Sequence, residues 1–167
     1  WTDPDFHARY SALWREYHYT VLNTPVGNPF MTETAWHITK PLKVRSMQLA
    51  CDAVIGNHDF SAFCRKPKPA DEFDTFEHSM RRSVMSAHWK DMGDGVLRFD
   101  IRANAFCYQM VRSFVGFLVD VGLGHRPASD TREVLLARDR AHGSQVAPAC
   151  GLTLWDVGYP GEAIPTI

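Results

Sequence analysis

Two side chains are placed where packing alone does not require them. Arg112 falls between Val111 and Ser113, inside a stretch from Ala105 to Val121 whose Phe106, Met110, Val111, Phe114, Val115, Leu118 and Val121 make a wide apolar stripe. A guanidinium there must reach water or an anion. It can snorkel from the helix side, pair with a carboxylate of its own chain, or serve as half of an internal ion pair at a cleft. Tyr17 stands in Arg15-x-Tyr17-x-Tyr19, where period-two spacing sets two phenols on one strand face beside a cation. A tyrosine can stack on a base while its hydroxyl makes a hydrogen bond, although aromatic pairs in half-buried strands more often pack a core.

Two further stretches could serve a polyanion. Phe6-His7-Ala8-Arg9-Tyr10-Ser11-Ala12 mixes aromatic rings with an imidazole and a guanidinium, a combination that suits a nucleotide surface or an amphipathic strand. After Gly56-Asn57-His58-Asp59-Phe60-Ser61-Ala62-Phe63 come Arg65, Lys66 and Lys68, three cations within four residues. Phosphate contacts from such a turn would add salt-dependent affinity, and a solvated basic loop partly cancelled by Asp71, Glu72, Asp74 and Glu77 is the plainer reading. His58 and Asp59 are adjacent on an extended segment, so their side chains point apart and a catalytic dyad is disfavoured. The eight histidines show no H-x-x-x-H or H-x-H spacing, and no metal site is expected.

The elements that must position these residues can be read from periodicity. Arg15 to Leu22 is rich in aromatic and β-branched residues and reads as a strand. A loop with Asn23, Pro25, Gly27, Asn28 and Pro29 follows, then Pro41 to Ile55 places Leu42, Met47, Leu49 and Val54 at helical intervals, with Gly56-Asn57 as the stop. Pro67 to Glu77, with two prolines and four acids, is expected to be an exposed loop. Arg81 to Trp89 and Val96 to Ala103 form a hairpin about Met92-Gly93-Asp94-Gly95. Ala105 to Val121 is the expected central buried helix, with Asn104 as its cap, Arg112 two turns in, and Gly122 and Gly124 as its end. Ser129 can cap a shorter helix through about Arg138, and Leu152 to Val157 is a last strand. The sum is one α+β domain over residues 1–167, with a mixed, mostly antiparallel sheet and helices packed on one face.

Bulk properties exclude more than they assign. A chain of 167 residues, 45% hydrophobic and 22% charged, can bury one core and is not expected to be disordered. A net charge of -1 gives no global attraction to nucleic acid, so any RNA surface must be a local patch. Cys51, Cys64, Cys107 and Cys150 are widely spaced with no C-x-x-C pair, which points to buried free thiols in a reducing cytoplasm rather than a zinc knuckle or disulfide framework. No apolar run of about 18 residues occurs and the start lacks a signal-peptide plan, so a non-membrane, cytoplasmic location is expected. The first residue is Trp1 rather than methionine, from which an upstream part is expected.

Taken in order, F-H-A-R-Y-S-A at Phe6 to Ala12, R-E-Y-H-Y at Arg15 to Tyr19, G-N-H-D-F-S-A-F at Gly56 to Phe63, N-A-F-C-Y-Q-M-V-R-S-F-V-G at Asn104 to Gly116 and A-P-A-C-G-L-T-L at Ala147 to Leu154 resemble the carboxy-terminal half of TruA-type tRNA pseudouridine synthases. Five blocks in the family's order span nearly the whole chain. The resemblance implies an enzyme that isomerises uridine to pseudouridine in the tRNA anticodon stem-loop without metal or organic cofactor, commonly as a homodimer. By the same resemblance, Tyr17 matches the tyrosine that stacks on the target uracil and assists proton removal, and Arg112 matches the arginine that pairs with the catalytic aspartate. Phe6, His7, Ala8, Arg9 and Tyr10, with Arg15, match a tRNA-contacting segment; Arg65, Lys66 and Lys68 lie in another.

The family's aspartate belongs to an R-T-D-x-G-V-H block in its amino-terminal half, and no such block is present. Thr2-Asp3 continues as Pro4-Asp5, without the glycine and histidine, and is not taken as the nucleophile. The expectation is therefore a domain that shares an active site with an amino-terminal half and is inactive alone. A non-catalytic RNA-binding or dimerisation module is the alternative, and a small-molecule hydrolase built on His58 and Asp59 ranks last.

Overall fold

The computed structural model describes residues 4–65 and 79–161. Its elements run β1 (Trp14–Leu22), β2 (Trp36–His37), α1 (Val44–Asp52), β3 (Gly56–Asp59), β4 (Arg81–Asp91), β5 (Val96–Ala103), α2 (Met110–Gly122), α3 (Asp130–Ala137) and β6 (Leu152–Gly158). The sheet order is β2-β1-β5-β4-β3, with β6 also paired to β1. All pairings are antiparallel except the two-residue β1–β2 ladder, so the α+β class and the mixed, mostly antiparallel sheet are as expected.

β1 lies inside the sheet, paired with β5 and with β2 and β6, and its alternation serves two faces at once. Tyr19 and Val21 enter the core with Leu97, Phe99 and Ile101 of β5 and Val84, Ala87 and Trp89 of β4. The intervening Glu16, His18, Arg98, Asp100 and Arg102 occupy the opposite face, as the period of two requires. α2 covers the apolar face: eleven of its thirteen residues are buried, and Phe114 meets Phe99 with ring centroids 5.8 Å apart and Phe63 at 5.3 Å. Each such phenylalanine removed from water contributes about 1.5–3 kcal/mol. The expected β4–β5 hairpin is present, with Gly93, Asp94 and Gly95 at positive φ in its turn.

Several boundaries differ from expectation. α1 is shorter than Pro41 to Ile55, and it buries Met47, Ala50 and Cys51 while Leu49 faces out. Gly56-Asn57 does not simply stop the helix but opens β3, which pairs with β4 from Gly56↔Val84 to Asp59↔Arg81. α2 begins at Met110 rather than Ala105, because Gln109 adopts a left-handed conformation (φ 64°) that no helix can propagate through. Asn104 does not cap it; its side-chain oxygen accepts from the backbone N–H groups of Ser83 and Ala105, tying off the end of β5. Ser129 holds the N-cap position of α3 without a side-chain capping bond. The expected loop from Pro67 to Glu77 lies outside the described residues. Among the described residues, no helix is long and apolar enough to cross a membrane.

Candidate active site

The late start of α2 changes the position of Arg112. It belongs to the first turn of the helix rather than lying two turns in, so its side chain stands at the mouth of a pocket and not inside the apolar stripe. That pocket, about 210 Å³, lies between β1 and the approach to α2 and is lined by Tyr17, residues 106–112 and Leu152. The structure thus brings Tyr17 and Arg112 together from positions 95 apart in the sequence.

Each is held by a separate device. The Tyr17 ring meets Phe106 edge-on, with centroids 5.0 Å apart and planes at 88°, an arrangement aromatic quadrupoles favour. Tyr19, on the same face, is fully buried and its hydroxyl donates to Pro148 O at 2.7 Å; burial pushes this phenol far above its ordinary range. Of the two phenols only Tyr17 is presented to the pocket. Arg112 Nε donates to Ala147 O at 2.7 Å, and Ala147 N–H donates back to Arg112 O at 3.1 Å. The close approach depends on Gly116: a Cβ there would lie 1.8 Å from Gln145 O. Among the described residues Arg112 meets no carboxylate.

The segment from Phe6 to Tyr10 is a turn folded on itself. His7 Nδ1 accepts from Arg9 N–H and Tyr10 N–H, Ser11 Oγ accepts from His7 N–H, and the His7 and Tyr10 rings lie 4.5 Å apart. Phe6 packs on Tyr159, whose hydroxyl donates to Ala8 O. Tyr10 is 76% exposed, and Arg9 lies over its ring at 5.7 Å. Arg15 plays a different part from the surface cations: its guanidinium donates to the carbonyls of Ala12, Asn104 and Arg9, so it ties the turn to the end of β5.

Arg65 contacts Tyr108, one of the residues that line the pocket. Its N–H donates to Tyr108 O at 2.9 Å, and its guanidinium stands 5.8 Å from the Tyr108 ring. Lys66 and Lys68 lie outside the described residues. Directly before Arg65, Cys64 is joined to Cys107 in a disulfide with Cα atoms 5.7 Å apart. This corrects the expectation of four free thiols: a sequence separation of 43 carries no pairing signal, and the fold supplies it by setting the end of the β3 segment beside the approach to α2. Cys51 and Cys150 are free, and burial pushes the Cys51 thiol far up.

The opposite sheet face holds a charged network that the sequence reading did not single out. Glu16 accepts from Arg102 at 2.6 and 2.8 Å and from His18 at 2.9 Å; Asp100 accepts from Arg98 at 2.7 Å and Lys90 at 3.0 Å. Burial would raise both carboxyls, but these hydrogen bonds and charges outweigh it and hold both below their ordinary values. Glu16, His18 and Asp100 have ligand-type atoms within 4.8 Å of one another, yet arginine and lysine already neutralise the carboxylates. His58 and Asp59 do not pair: His58 Nε2 bonds Ile55 O, while Asp59 accepts from Ser61 and faces Arg138.

An antiparallel sheet backed by helices thus carries an aromatic pocket lined by one phenol, Tyr17, and one guanidinium, Arg112. This chain belongs to the tRNA pseudouridine synthase family, whose sequence model matches residues 50–160. It is 40% identical over 157 residues to tRNA pseudouridine synthase A of Brevibacillus brevis, covering 94% of this chain and 61% of that protein. It is 39% identical over 162 residues to tRNA pseudouridine synthase A of Streptomyces griseus (95% and 54%), and 37% identical over 164 residues to that of Gluconobacter oxydans (95% and 55%). The chain therefore spans little more than half the length of these relatives.

Proposed function

We propose that this chain is the carboxy-terminal domain of a tRNA pseudouridine synthase that isomerises uridine in the anticodon stem-loop, and that it supplies one wall of the active site. The observation that carries this is the convergence of Tyr17 and Arg112 on one pocket. The target nucleotide leaves the stack at a cost of a few kcal/mol and enters beside Tyr17, whose ring faces the uracil. A carboxylate from the amino-terminal half attacks as nucleophile, the base detaches and turns, and a carbon–carbon glycosidic bond replaces the carbon–nitrogen one. Tyr17 Oη assists removal of the proton from the ring carbon. With Nε committed to Ala147, the two terminal nitrogens of Arg112 hold that carboxylate in a two-pronged pair, which a lysine cannot reproduce.

Phe6, His7, Ala8, Arg9 and Tyr10, anchored by Arg15, form one tRNA-contacting surface, and Arg65 with Lys66 and Lys68 forms another. Their cations contact phosphates and position the stem-loop without reading its sequence. The reaction needs no metal or organic cofactor, the enzyme works in the cytoplasm, and two copies assemble as a homodimer. Pseudouridine formation by the full-length enzyme on an anticodon stem-loop tests the reading: Tyr17→Ala and Arg112→Ala are each expected to abolish product while the protein stays folded. Wild-type rates in both variants would overturn it, and retained tRNA binding by a wild type that makes no product would favour a non-catalytic RNA-binding module.

A further inference from the structure

The Cys64–Cys107 pair sits at a junction that the proposed chemistry does not use. Cys64 follows the β3 segment and is 2% exposed; Cys107 lies on the approach to α2, is partly exposed and lines the same pocket as Tyr17 and Arg112. The residues immediately after them repeat the connection, through the Arg65 N–H bond to Tyr108 O and the Arg65 guanidinium facing the Tyr108 ring. The disulfide is thus one of three links between the Cys64–Arg65 pair of residues and the rim of the pocket, and the one that chemistry can open. Pairs of this kind in proteins that meet thiol buffers are commonly reversible rather than permanent.

We infer that Cys64 and Cys107 are a reversible redox pair, oxidised by a low-molecular-weight disulfide that enters through the pocket, and that oxidation fixes Arg65 at the pocket rim. The Cys107 thiolate attacks one sulfur of the small disulfide, forming a mixed disulfide and releasing one small thiolate. The Cys64 thiolate then attacks the Cys107 sulfur and expels the second small thiol. Two protein thiols thereby lose two electrons and two protons, and the small disulfide takes them up as two thiols. Exposure assigns the roles: Cys107 is reached from solvent, and Cys64, buried behind it, resolves. The consequence for RNA rests on the reading of this domain as a tRNA-binding half-site; the thiol chemistry does not.

The test uses the full-length protein, reduced and then treated with glutathione disulfide, with peptide mapping and intact mass as readouts. The wild type is expected to lose two hydrogens and link Cys64 to Cys107. Cys64→Ser should retain one glutathione on Cys107, and Cys107→Ser should take up none at Cys64. A wild type in which these residues stay unlinked, or in which Cys51 or Cys150 reacts instead, overturns the proposal. The oxidised form is expected to bind an anticodon stem-loop about threefold more tightly than the reduced form, the order of one rim cation held in place. Equal binding overturns the effect on the rim. Binding by neither form, with the link made, would fail the tRNA reading and not the redox pair.

Discussion

Arg112 and Ala147 exchange two hydrogen bonds, one from the guanidinium Nε to Ala147 O at 2.7 Å and one from Ala147 N–H to Arg112 O at 3.1 Å. The next residue, Pro148, accepts the hydroxyl of Tyr19. The short segment before β6 therefore holds the guanidinium on α2 and is itself braced by β1, so the pocket depends on a stretch of chain that belongs to neither element.

Gly116→Ala tests that dependence by its sign. Helix propensity alone predicts a gain of up to about 1 kcal/mol for alanine inside an exposed helix. A methyl group 1.8 Å from Gln145 O must instead displace the segment that carries Ala147. The variant is expected to be less stable by about 1–3 kcal/mol in urea denaturation.

Arg112→Lys is expected to behave almost as badly as Arg112→Ala in turnover while costing much less stability. A lysine keeps the charge and the aliphatic stem but cannot bond Ala147 O and present a two-pronged donor together. Loss of a buried donor to a reacting anion typically lowers kcat by about 100- to 1000-fold. Single-turnover kinetics beside thermal denaturation separate the two effects.

Tyr17→Phe and Tyr17→Ala divide the two roles proposed for the phenol. The phenylalanine keeps the edge-on contact with Phe106 and the ring face, so stem-loop affinity should be preserved while the chemical step falls by about 100-fold or more, the scale of a lost proton-transfer group. Alanine is expected to weaken both. Binding and single-turnover measurements on the two variants check this.

Acid should unfold the sheet from its polar face. Glu16 and Asp100 have folded-state values below their ordinary 4.5 and 3.8, so the unfolded chain binds their protons more readily. The stability they contribute is complete above those ordinary values and is lost as pH falls through the lower folded-state values. His88, held below its ordinary value chiefly by burial and next by Lys90, acts in the same direction: its contribution declines as pH drops below 6.5. Asp100→Asn is expected to make stability less steeply dependent on pH below 4, measured by urea denaturation across the acid range.

Much of this molecule was legible in its residues. The hairpin of Arg81 to Trp89 with Val96 to Ala103 gave β4 and β5, and the apolar stripe through Met110, Phe114, Leu118 and Val121 gave the covering helix. The start of that helix was not legible, because it is set by the left-handed backbone of Gln109, a residue that sequence reasoning does not expect there. The extended segment at His58-Asp59 was legible, but not that Gly56–Asp59 pairs with β4 as a strand, a tertiary contact that its lack of alternation does not signal. Arg15 read as part of a tRNA-contacting segment, and its engagement by three carbonyls that converge only in the folded chain was not legible. Tyr17 and Arg112 were each visible as odd residues; that they share one pocket follows from tertiary packing.

The most direct test is pseudouridine formation in unmodified tRNA by this chain alone and by this chain mixed with a matching amino-terminal half that carries the aspartate. Association of the halves is verified in the same samples. Product only in the mixture, and lost when this chain carries Tyr17→Ala or Arg112→Ala, is the expected result. Product from this chain alone, or full activity of the mixture with either substitution, would contradict the claim that the domain supplies one wall of a shared active site.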